Sequence, residues 1–370
     1  MSESTSQQAA DAFNTRIEAL SPQALQEAVD LLRTGEVVAM PTETVYGLAG
    51  HAFDAAAVAR IFAVKARPHF DPLIVHLADQ PQHHSLQGLA AAELIVLQDL
   101  PANIQAACER LIKAFWPGPL TLVLPRHARV PDLVTGDLPT VALRMPAHAG
   151  AQALLQQSFP LAAPSANRFG RISPTTAQAV YEELRGRISL ILDGGPCAIG
   201  LESTVVGLED EQLVLLRPGL LDLDTLQQAA QSPLRPATQH PAELRAPGML
   251  KSHYAPGKPL QVFESGQTVP LQSTAAGRPG LLCLQTPPAE VQAQLAARGG
   301  QWRALSPDGS LHLAAQALFA HLRALDSAAV DYLLAELPAS DQGLGYAIRD
   351  RLHKAAAPVI QNEPFFALPE

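Results

Sequence analysis

The sequence predicts an α/β protein with a mixed parallel and antiparallel sheet, followed by a smaller α/β domain. Short apolar segments alternate with segments of helical periodicity through most of the 370 residues, a pattern typical of strands connected by helices. The apolar segments that flank 209–212 are separated by too few residues for a helical crossover, so some neighbouring strands must be antiparallel. Hydrophobic residues make up 47% of the chain and charged residues 16%, which supplies apolar side chains for two cores.

The first two helices and the strand between them follow from local signals. Ser21 is a good N-cap, and Pro22 suits the first position of a helix that ends at Gly35. The apolar residues 37–40 then predict a short buried strand, and Asp54 is the expected N-cap of the next helix. This order begins a βα alternation.

The alternation continues through the first domain. Further strands are predicted at 73–77, 120–124, 141–145, 161–163, 190–193, 204–208 and 213–216. Further helices are predicted at 104–115, 151–157 and 175–184. Ser173 is the predicted N-cap of the last helix, with Pro174 behind it, and the free N–H groups at such a helix start are able to hold a phosphate.

The sequence predicts three regions. The first domain covers 14–221. Residues 222–259 are rich in Pro, Gln and Ala and lack an apolar period, which predicts an interdomain linker. Residues 260–370 predict the small α/β domain. Its predicted strands lie at 281–284 and 332–334, and its predicted helices at 291–297, 311–325 and 344–355.

Composition and charge restrict the class of protein. A net charge of -9 without a run of basic residues argues against stable nucleic-acid binding, although a few cations can still converge on one anion pocket. Cys108, Cys197 and Cys283 lack C-x-x-C spacing, so they indicate buried thiols rather than a zinc site or a disulfide framework. The polar N-terminus and the absence of a long apolar segment predict a cytoplasmic protein without a membrane partner.

Polar residues interrupt or follow several predicted strands. Thr44 lies in PTETVYGL directly after the first strand, and strand-exit loops of open α/β sheets line ligand crevices. Lys65 and Arg67 leave a helix, and His76 interrupts the apolar segment 73–77. Each also has a purely structural interpretation: turn chemistry, a solvated helix end, or a core histidine with a backbone partner.

Arg144 is a stronger signal because it stands in the apolar segment TVALRMP. A buried, unpaired guanidinium is costly, so Arg144 needs an anionic partner, for which a substrate carboxylate or phosphate is a natural candidate. Ser165 and Asn167, in APSANRFG, have short side chains that let a ligand approach the backbone. Ser203 lies in the glycine-containing segment DGGPCAIGLESTVV, and Arg217 closes the domain.

Cations and hydroxyl groups thus gather at strand ends, whereas the sequence has no Ser-His-Asp order, paired acids or metal-ligand spacing. This combination favours a nucleotide site that works by positioning and charge neutralisation over a site with an enzyme nucleophile. The glycines alone are a weak signal, since they form neither a Walker A loop nor a dinucleotide fingerprint.

An ordered set of motifs resembles the YrdC-like threonylcarbamoyl-AMP synthases. Along the chain, from about 21 to 219, the motifs are PTETVYGL, K-x-R with PLIVH, WPGPLT, ALRMP, PSAN with SPT, LESTV and LRPG. Downstream, APGMLKSHYAP, LDSAAVD and GLGYAIRDRLHKAA resemble the long form of the family, which carries a smaller C-terminal domain. Any one motif is weak, but the ordered set is specific.

The resemblance implies a twisted sheet around a large concave cavity that holds threonine beside ATP. It also implies that Lys65 and Arg67 are catalytic and that Tyr254, in the linker, folds back over the nucleotide. The implied threonine-binding residues are Thr44, His76, Arg144, Ser165 and Ser203. The implied ATP-binding residues are Lys65, Arg67, Asp71, Thr140, Asn167, Ser173, Thr175, Arg217 and Tyr254.

The activity implied by the resemblance is the synthesis of threonylcarbamoyl-AMP and pyrophosphate from L-threonine, bicarbonate and ATP. Mg²⁺ would arrive with ATP rather than in a protein site. The product would pass to a separate tRNA threonylcarbamoyl transferase complex that modifies tRNAs reading ANN codons. Asp71 departs from the family, where asparagine is frequent, and its charge would repel a polyphosphate unless it faces Mg²⁺ or a hydroxyl group.

Two other functions stay open at this point. Hydrogenase-maturation carbamoyltransferases contain a related domain, but they carry cysteine-pair zinc modules that this sequence lacks. The second is an RNA-binding or ribosome-assembly module, against which the acidic charge and the absence of a basic, aromatic stripe weigh.

Overall fold

The computed structural model describes residues 13–237, 252–271 and 277–357, which form two sheets with helices packed against them. The first sheet contains β1 (Arg16–Ala19), β2 (Val38–Met40), β3 (Gly47–His51), β4 (Ile74–His76), β5 (Leu120–Pro125), β6 (Thr140–Arg144), β7 (Leu161–Ala162), β8 (Leu190–Asp193), β9 (Thr204–Glu209), β10 (Gln212–Arg217) and β11 (Leu234–Pro236). The second contains β12 (Leu260–Glu264), β13 (Pro279–Cys283), β14 (Gln301–Ala304) and β15 (Tyr332–Leu337).

The α-helices connect these strands along the chain. They are α1 (Pro22–Arg33), α2 (Ala55–Lys65), α3 (Leu86–Ala91), α4 (Ala102–Phe115), α5 (Asp132–Thr135), α6 (Ala149–Gln157), α7 (Ala177–Leu184), α8 (Leu223–Ala230), α9 (Ala289–Ala297), α10 (Leu311–Ser327) and α11 (Gly343–Ala356). Short 3₁₀ helices lie at Pro81–His84 and Leu97–Asp99.

The first two helix starts are capped as the sequence predicts. Ser21 Oγ accepts a hydrogen bond from Ala24 N at 3.1 Å, and Pro22 occupies the first turn of α1. Asp54 Oδ1 accepts one from Ala56 N at 2.8 Å at the start of α2. These caps satisfy N–H groups that have no partner inside the helix, so residues next to one another in sequence define both helix starts.

The strands of the first sheet run in both directions, in the order β1-β8-β2-β3-β7-β4-β6-β5-β9-β10-β11. β9 and β10 are antiparallel, as their short connection predicts, whereas β4 is parallel to β6 and β5 is parallel to β9. The predicted mixed α/β fold is therefore confirmed. β1 and β3 were not predicted, because neither segment is a continuous run of large apolar residues.

The helix predicted at 175–184 begins later than expected. Thr176, not Ser173, is the N-cap of α7, and its side chain accepts a hydrogen bond from Ala179 N. The carbonyl of Pro174 accepts from Tyr46 N at 2.9 Å, and that of Thr175 accepts from Cys197 N at 2.9 Å. The prediction of Ser173 as a helix cap is wrong because the carbonyls of 174 and 175 pair with distant segments instead of joining the helix.

The segment predicted as a linker, 222–259, is partly regular. Its first part forms α8, which packs against α4 and buries Leu226 and Ala230, and then β11, which pairs parallel to β10. Asp222 caps α8 by accepting a hydrogen bond from Thr225 N at 2.8 Å. Residues 223–236 thus belong structurally to the first sheet, and sequence periodicity missed them because both elements are short.

The second sheet is parallel throughout, in the order β12-β15-β13-β14. α10, with 17 residues, and α11 pack against it, so the predicted small α/β domain is confirmed. No helix among the described residues is both long and apolar enough to cross a membrane.

One apolar cluster connects the two sheets. Val45 and Leu201 from the first domain pack in the same buried cluster as Leu318 and Phe319 of α10, and Tyr254 lies between them. Because apolar contact excludes water from both partners, this cluster holds the second domain against the loops that carry the polar residues of the first.

Candidate active site

The pairing of the strands brings several predicted site residues to one end of the first sheet. β4, β6 and β10 end there, at His76, Arg144 and Arg217, and the antiparallel neighbours β5 and β9 begin there. Ser203 directly precedes β9. Residues separated by more than a hundred positions in sequence therefore meet because strands of both directions are paired in this part of the sheet.

A small cavity of about 40 Å³ lies beside these strand ends. The predicted site residues that line it are Thr44, Arg67, His76, Arg144, Ser165, Ser203, Arg217 and Tyr254. Thr42, Val45, Gly47, Ile74, Ala163, Pro164, Glu202 and His253 also line it. The cavity thus combines guanidinium and hydroxyl groups in buried surroundings, where water screens charge poorly and electrostatic contacts are strong.

Arg144 is buried at one side of the cavity and has three partners. Its Nη1 donates to Thr44 Oγ1 at 2.7 Å, its Nη2 to Glu43 Oε1 at 2.6 Å, and its Nε to Gly118 O at 3.3 Å. Burial alone would raise the pKa of Glu43, but the charge of Arg144 outweighs it and lowers that pKa. A guanidinium has five N–H donors, so about two remain for a ligand.

His76 lies next to Arg144 in the parallel pair β4–β6 and is uncharged at neutral pH. Burial and the neighbouring charge of Arg144 lower the pKa of His76 to about 3, and its Nδ1 lies 3.1 Å from Ile74 O. His76 is thus a neutral ring that is held by a backbone carbonyl. It lines the cavity with a polar group that carries no charge.

Ser203 and Arg217 form another part of the cavity wall. Arg217 Nη2 donates to Ser203 Oγ at 3.0 Å, and Arg217 Nε donates to Ser203 O at 3.1 Å. Ser203 Oγ also lies 2.7 Å from Thr121 Oγ1. This chain of hydrogen bonds fixes the hydroxyl and the guanidinium relative to the start of β9, so both are oriented before any ligand enters.

Lys65 holds the loop that contains Ser165 and Asn167. Its Nζ donates to Ser165 O and, at 2.5 Å, to Asn167 O. Burial, followed by the charge of Arg67, lowers the pKa of Lys65 well below its usual value. Asn167 Nδ2 donates to Arg168 O and Arg171 O, while its buried Oδ1 has no hydrogen-bond partner among the described residues. Lys65 and Asn167 thus shape the loop beside the cavity.

Asp71 forms a buried ion pair with Arg67. Arg67 Nη2 lies 2.9 Å from Asp71 Oδ2, and the guanidinium also donates to Asp71 O and Pro72 O. Burial raises the pKa of Asp71 although Arg67 and Lys65 oppose this effect. The charge that departs from the family pattern is therefore neutralised by a cation four residues earlier in sequence.

Six predicted ATP-side residues do not line the cavity: Lys65, Asp71 and Asn167, which lie beside it, and Thr140, Ser173 and Thr175. Thr140 begins β6 at the strand end opposite Arg144, where it pairs with Pro125. Thr175 uses its carbonyl to pair with Cys197 N, and Ser173 Oγ donates to Glu202 Oε1 at 2.6 Å. Ser173 thus reaches the cavity wall only through Glu202.

Sequence reasoning missed Glu43, Thr121, Glu202 and His253. Glu43 and Glu202 lie inside the motifs PTETVYGL and LESTV, and acidic side chains in otherwise apolar or hydroxyl-rich segments were the available signal. Nothing local indicates that Thr121 meets Ser203, since 82 residues separate them. His253 became relevant only because the segment after 252 returns to the cavity.

Tyr254 covers the cavity from the second domain's side. It is fully buried, its φ of 64° is in the left-handed region, and its ring stacks on Phe319 with centroids 5.3 Å apart. Tyr254 Oη and His253 Nδ1 are buried without a hydrogen-bond partner among the described residues. Two such polar atoms at a cavity wall are ready to pair with groups of a ligand.

We expect protonation of Glu202 to lower the free energy of unfolding in acid. Burial would raise the pKa of Glu202, but Arg351 and Arg217 lower it to about 2. Because the pKa is lower in the folded chain than in the unfolded chain, ionised Glu202 adds on the order of 3 kcal/mol to the free energy of unfolding. This contribution is fully present above about pH 5 and is lost as the pH falls toward 2. Urea unfolding of Glu202→Gln should show less change in free energy between pH 5 and pH 3 than the unaltered chain. Exposed Glu182→Gln should retain the full dependence, and an equally steep Glu202→Gln profile would contradict the expectation.

The fold and the cavity define a two-domain α/β protein with a buried pocket lined by three arginines. The family model described as "Telomere recombination", which covers Sua5, YciO and YrdC proteins, matches residues 30–219. The model described as "Threonylcarbamoyl-AMP synthase, C-terminal domain" matches 214–357. The chain belongs to the YrdC-like threonylcarbamoyl-AMP synthase family in its long form, as the ordered motifs indicated.

Relatives align over nearly the whole chain. A threonylcarbamoyl-AMP synthase of Pyrococcus abyssi is 39% identical over 89% of this chain and 93% of its own length. One of Bacillus subtilis is 39% identical over 90% and 92%. The crystal structure of P. abyssi Sua5 complexed with L-threonine is 36% identical, covers 92% of this chain and 98% of its own, and has a TM-score of 0.78. Both domains and their order are thus shared with these proteins.

Proposed function

We propose that this chain is an L-threonylcarbamoyladenylate synthase, which forms threonylcarbamoyl-AMP and pyrophosphate from L-threonine, bicarbonate and ATP. The observation that carries the proposal is the cavity in which Arg144, Ser203 and Arg217 meet at one end of the mixed sheet. A relative of the same architecture has been solved with L-threonine. The product would serve threonylcarbamoyladenosine formation in tRNAs that read ANN codons.

The threonine is proposed to bind between Arg144 and Ser203. The remaining N–H groups of Arg144 are suited to a carboxylate, because guanidinium–carboxylate pairs are strong and directional. Thr44, His76 and Ser165 complete this side with uncharged polar groups. Neutral His76 adds a hydrogen-bonding group to this side without adding a positive charge.

The ATP is proposed to lie along Arg67 and Arg217, beneath Tyr254. Lys65 and Asn167 support this side by fixing the loop that borders it. Asp71 would act by holding Arg67 rather than by facing the phosphates, since its carboxylate is paired with that guanidinium. Thr140, Ser173 and Thr175 were also expected on the ATP side. Of these three, only Ser173 contacts a residue that lines the cavity, so we do not propose that Thr140 or Thr175 contacts ATP.

The proposed chemistry needs alignment more than a protein nucleophile. The threonine nitrogen forms a bond to the bicarbonate-derived carbon, giving a carbamate and water, and a carbamate oxygen attacks the α-phosphorus of ATP. The bond between the α-phosphorus and the bridging oxygen breaks, and pyrophosphate leaves with the electron pair. Arg67 and Arg217 would hold the reacting groups and offset negative charge as it develops, while Lys65, expected from the resemblance to be catalytic, would act by holding the loop of Ser165 and Asn167.

Mg²⁺ is proposed to enter as part of the MgATP substrate. Among the described residues, no three His, Cys, Asp or Glu side chains form a group able to hold a metal. This donor set fits an ion that is coordinated chiefly by phosphate oxygens and water. The metal would neutralise phosphate charge, while the guanidinium groups of the chain position the phosphates.

The product is proposed to pass to a separate tRNA threonylcarbamoyl transferase complex. The net charge of -9 disfavours tight binding of the tRNA by this chain itself. The cytoplasmic location expected from the sequence stays a prediction.

Product analysis tests the proposal directly. Purified protein incubated with ATP, Mg²⁺, bicarbonate and each amino acid in turn should release pyrophosphate and form the carbamoyl adenylate only with threonine and, more weakly, serine. One methyl group in an apolar contact discriminates by about 1–3 kcal/mol, so serine should be about 10- to 200-fold less efficient. Mass spectrometry identifies the adenylate. Pyrophosphate release that is independent of bicarbonate, or no adenylate with any amino acid, would exclude the proposed reaction.

A further inference from the structure

Arg351 of α11 in the second domain reaches the wall of the cavity in the first. Its side chain is fully buried, its Nε lies 2.9 Å from Glu202 Oε2, and its Nη2 donates to Pro218 O at 2.9 Å. Its Cζ lies 5.3 Å from the centroid of the Tyr254 ring. One guanidinium therefore contacts three separate segments around the cavity.

Two of these contacts hold the immediate sequence neighbours of proposed substrate-binding residues. Glu202 precedes Ser203, and Pro218 follows Arg217. A displacement of Glu202 or of the Pro218 carbonyl would be transmitted through one peptide unit to those residues. The third contact supports Tyr254, which covers the cavity and stacks on Phe319 of the same domain.

The charge of Arg351 also compensates the negative charge of Glu202 at the cavity wall. Glu202 lines the cavity, and its two oxygens accept from Ser173 Oγ at 2.6 Å and from Arg351 Nε at 2.9 Å. If Arg351 were neutral, a buried carboxylate would remain beside a site that must accept a carboxylate and a polyphosphate. It would repel those groups or attract Arg217 away from them.

Arg351 is itself held in place within α11. Its Nη1 donates to Asp350 Oδ2 at 2.6 Å, and Asp350 also pairs with Lys354 at 2.8 Å, one helical turn further on. The guanidinium is thus oriented by its own helix before it meets Glu202. Because the orientation of this guanidinium is fixed by α11, the position of the second domain determines where Glu202 is held at the cavity.

We propose that Arg351 is a positioning residue through which the C-terminal domain holds the ATP side of the cavity in its binding geometry. The proposal rests on the proposed function for the identity of the substrate. Arg351 does not line the cavity and would not touch substrate; it acts through Glu202, Pro218 and Tyr254. The C-terminal domain is therefore part of the substrate-binding machinery.

Variants of the full chain test the proposal. Arg351→Met should raise the KM for ATP at least about tenfold, because the contacts to Glu202, Pro218 and Tyr254 are lost together. The double variant Glu202→Gln/Arg351→Met removes the unpaired carboxylate but still lacks the other two contacts, so it should recover only part of this defect. Arg349→Met is the matched control, since Arg349 lies on the same helix but pairs with Glu264 at the surface and should leave KM unchanged. Thermal unfolding verifies that each variant is folded.

The outcomes separate this proposal from the proposed function. If the unaltered chain forms no adenylate, the proposed function fails; if it is active and Arg351→Met retains its KM for ATP, only the positioning role fails. Full recovery of the KM for ATP in the double variant would show that Arg351 serves only to neutralise Glu202, and would also overturn it. Should Arg351→Met not fold, Arg351→Lys keeps one charge but lacks the fork that reaches both Glu202 and Pro218, and a normal KM for ATP in that variant would overturn the proposal.

Discussion

Replacing Arg144 by methionine is expected to raise the KM for threonine at least about tenfold, which corresponds to about 1.4 kcal/mol or more. Arg144 is the buried cation that faces the proposed threonine carboxylate, and methionine keeps the apolar stem while it removes every N–H donor. The KM for ATP should change much less, because the proposed contacts of ATP are with Arg67 and Arg217 rather than with Arg144. Steady-state pyrophosphate release at varied threonine concentration measures the effect.

The control for this prediction must separate ligand binding from stability. Arg144→Met leaves Glu43 as a buried carboxylate without its partner, so the double variant Glu43→Gln/Arg144→Met is the better test of binding in a folded chain. Arg126→Met changes an arginine near the opposite end of the β5–β6 pair, where Arg126 N bonds to Pro139 O, and should leave the KM for threonine unchanged. An unchanged threonine KM in the double variant would remove Arg144 from the binding site.

Replacing Arg217 by methionine is expected to lower kcat for adenylate formation about 100-fold, the typical loss when one preorganised donor to developing charge is removed. Arg217 is buried at the end of β10 and is oriented by two hydrogen bonds to Ser203, so its guanidinium is placed before the phosphate arrives. Such a group stabilises the charge on the leaving pyrophosphate more than it stabilises bound ATP. Single-turnover measurements, which separate chemistry from product release, report the change.

Arg235→Met is the matched control for Arg217. Arg235 lies on β11, the next strand of the same sheet, and pairs with Glu209 at 2.6 Å at the half-exposed rim of the sheet. Its replacement should leave kcat within about twofold, in the range of ordinary surface substitutions. If Arg217→Met raised the KM for ATP with kcat unchanged, Arg217 would contribute to ground-state binding only and the predicted role in the reacting state would be wrong.

Elements with strong local signals were predictable from the sequence. The caps at Ser21 and Asp54 define two helix starts, and the apolar runs at 120–124 and 190–193 correspond to β5 and β8. These predictions succeed because the decisive hydrogen bonds or apolar contrast lie within a few residues. The same locality explains why the motif order was sufficient to indicate the family.

The elements that were mispredicted depend on distant partners. Ser173 resembled a helix cap, yet the carbonyls of Pro174 and Thr175 pair with Tyr46 and Cys197, so the helix begins at Ala177. Residues 223–236 lacked a clear period but complete the first sheet beside β10. In both cases tertiary pairing outweighs local propensity.

The sequence by itself determined the mixed α/β fold, two domains, the family and the residue types of the cavity, because these follow from periodicity, caps and ordered motifs. Only the tertiary structure decided that Arg144 pairs with Glu43, that Asp71 is neutralised by Arg67, and that Arg351 of the second domain holds Glu202 of the first. Arg144 and Glu43 are 101 positions apart in sequence, and Arg351 and Glu202 are 149 positions apart, so neither ion pair has a local sequence signal. They form because strand pairing and the packing of α11 against the first domain bring these side chains together where burial leaves each charge in need of a partner.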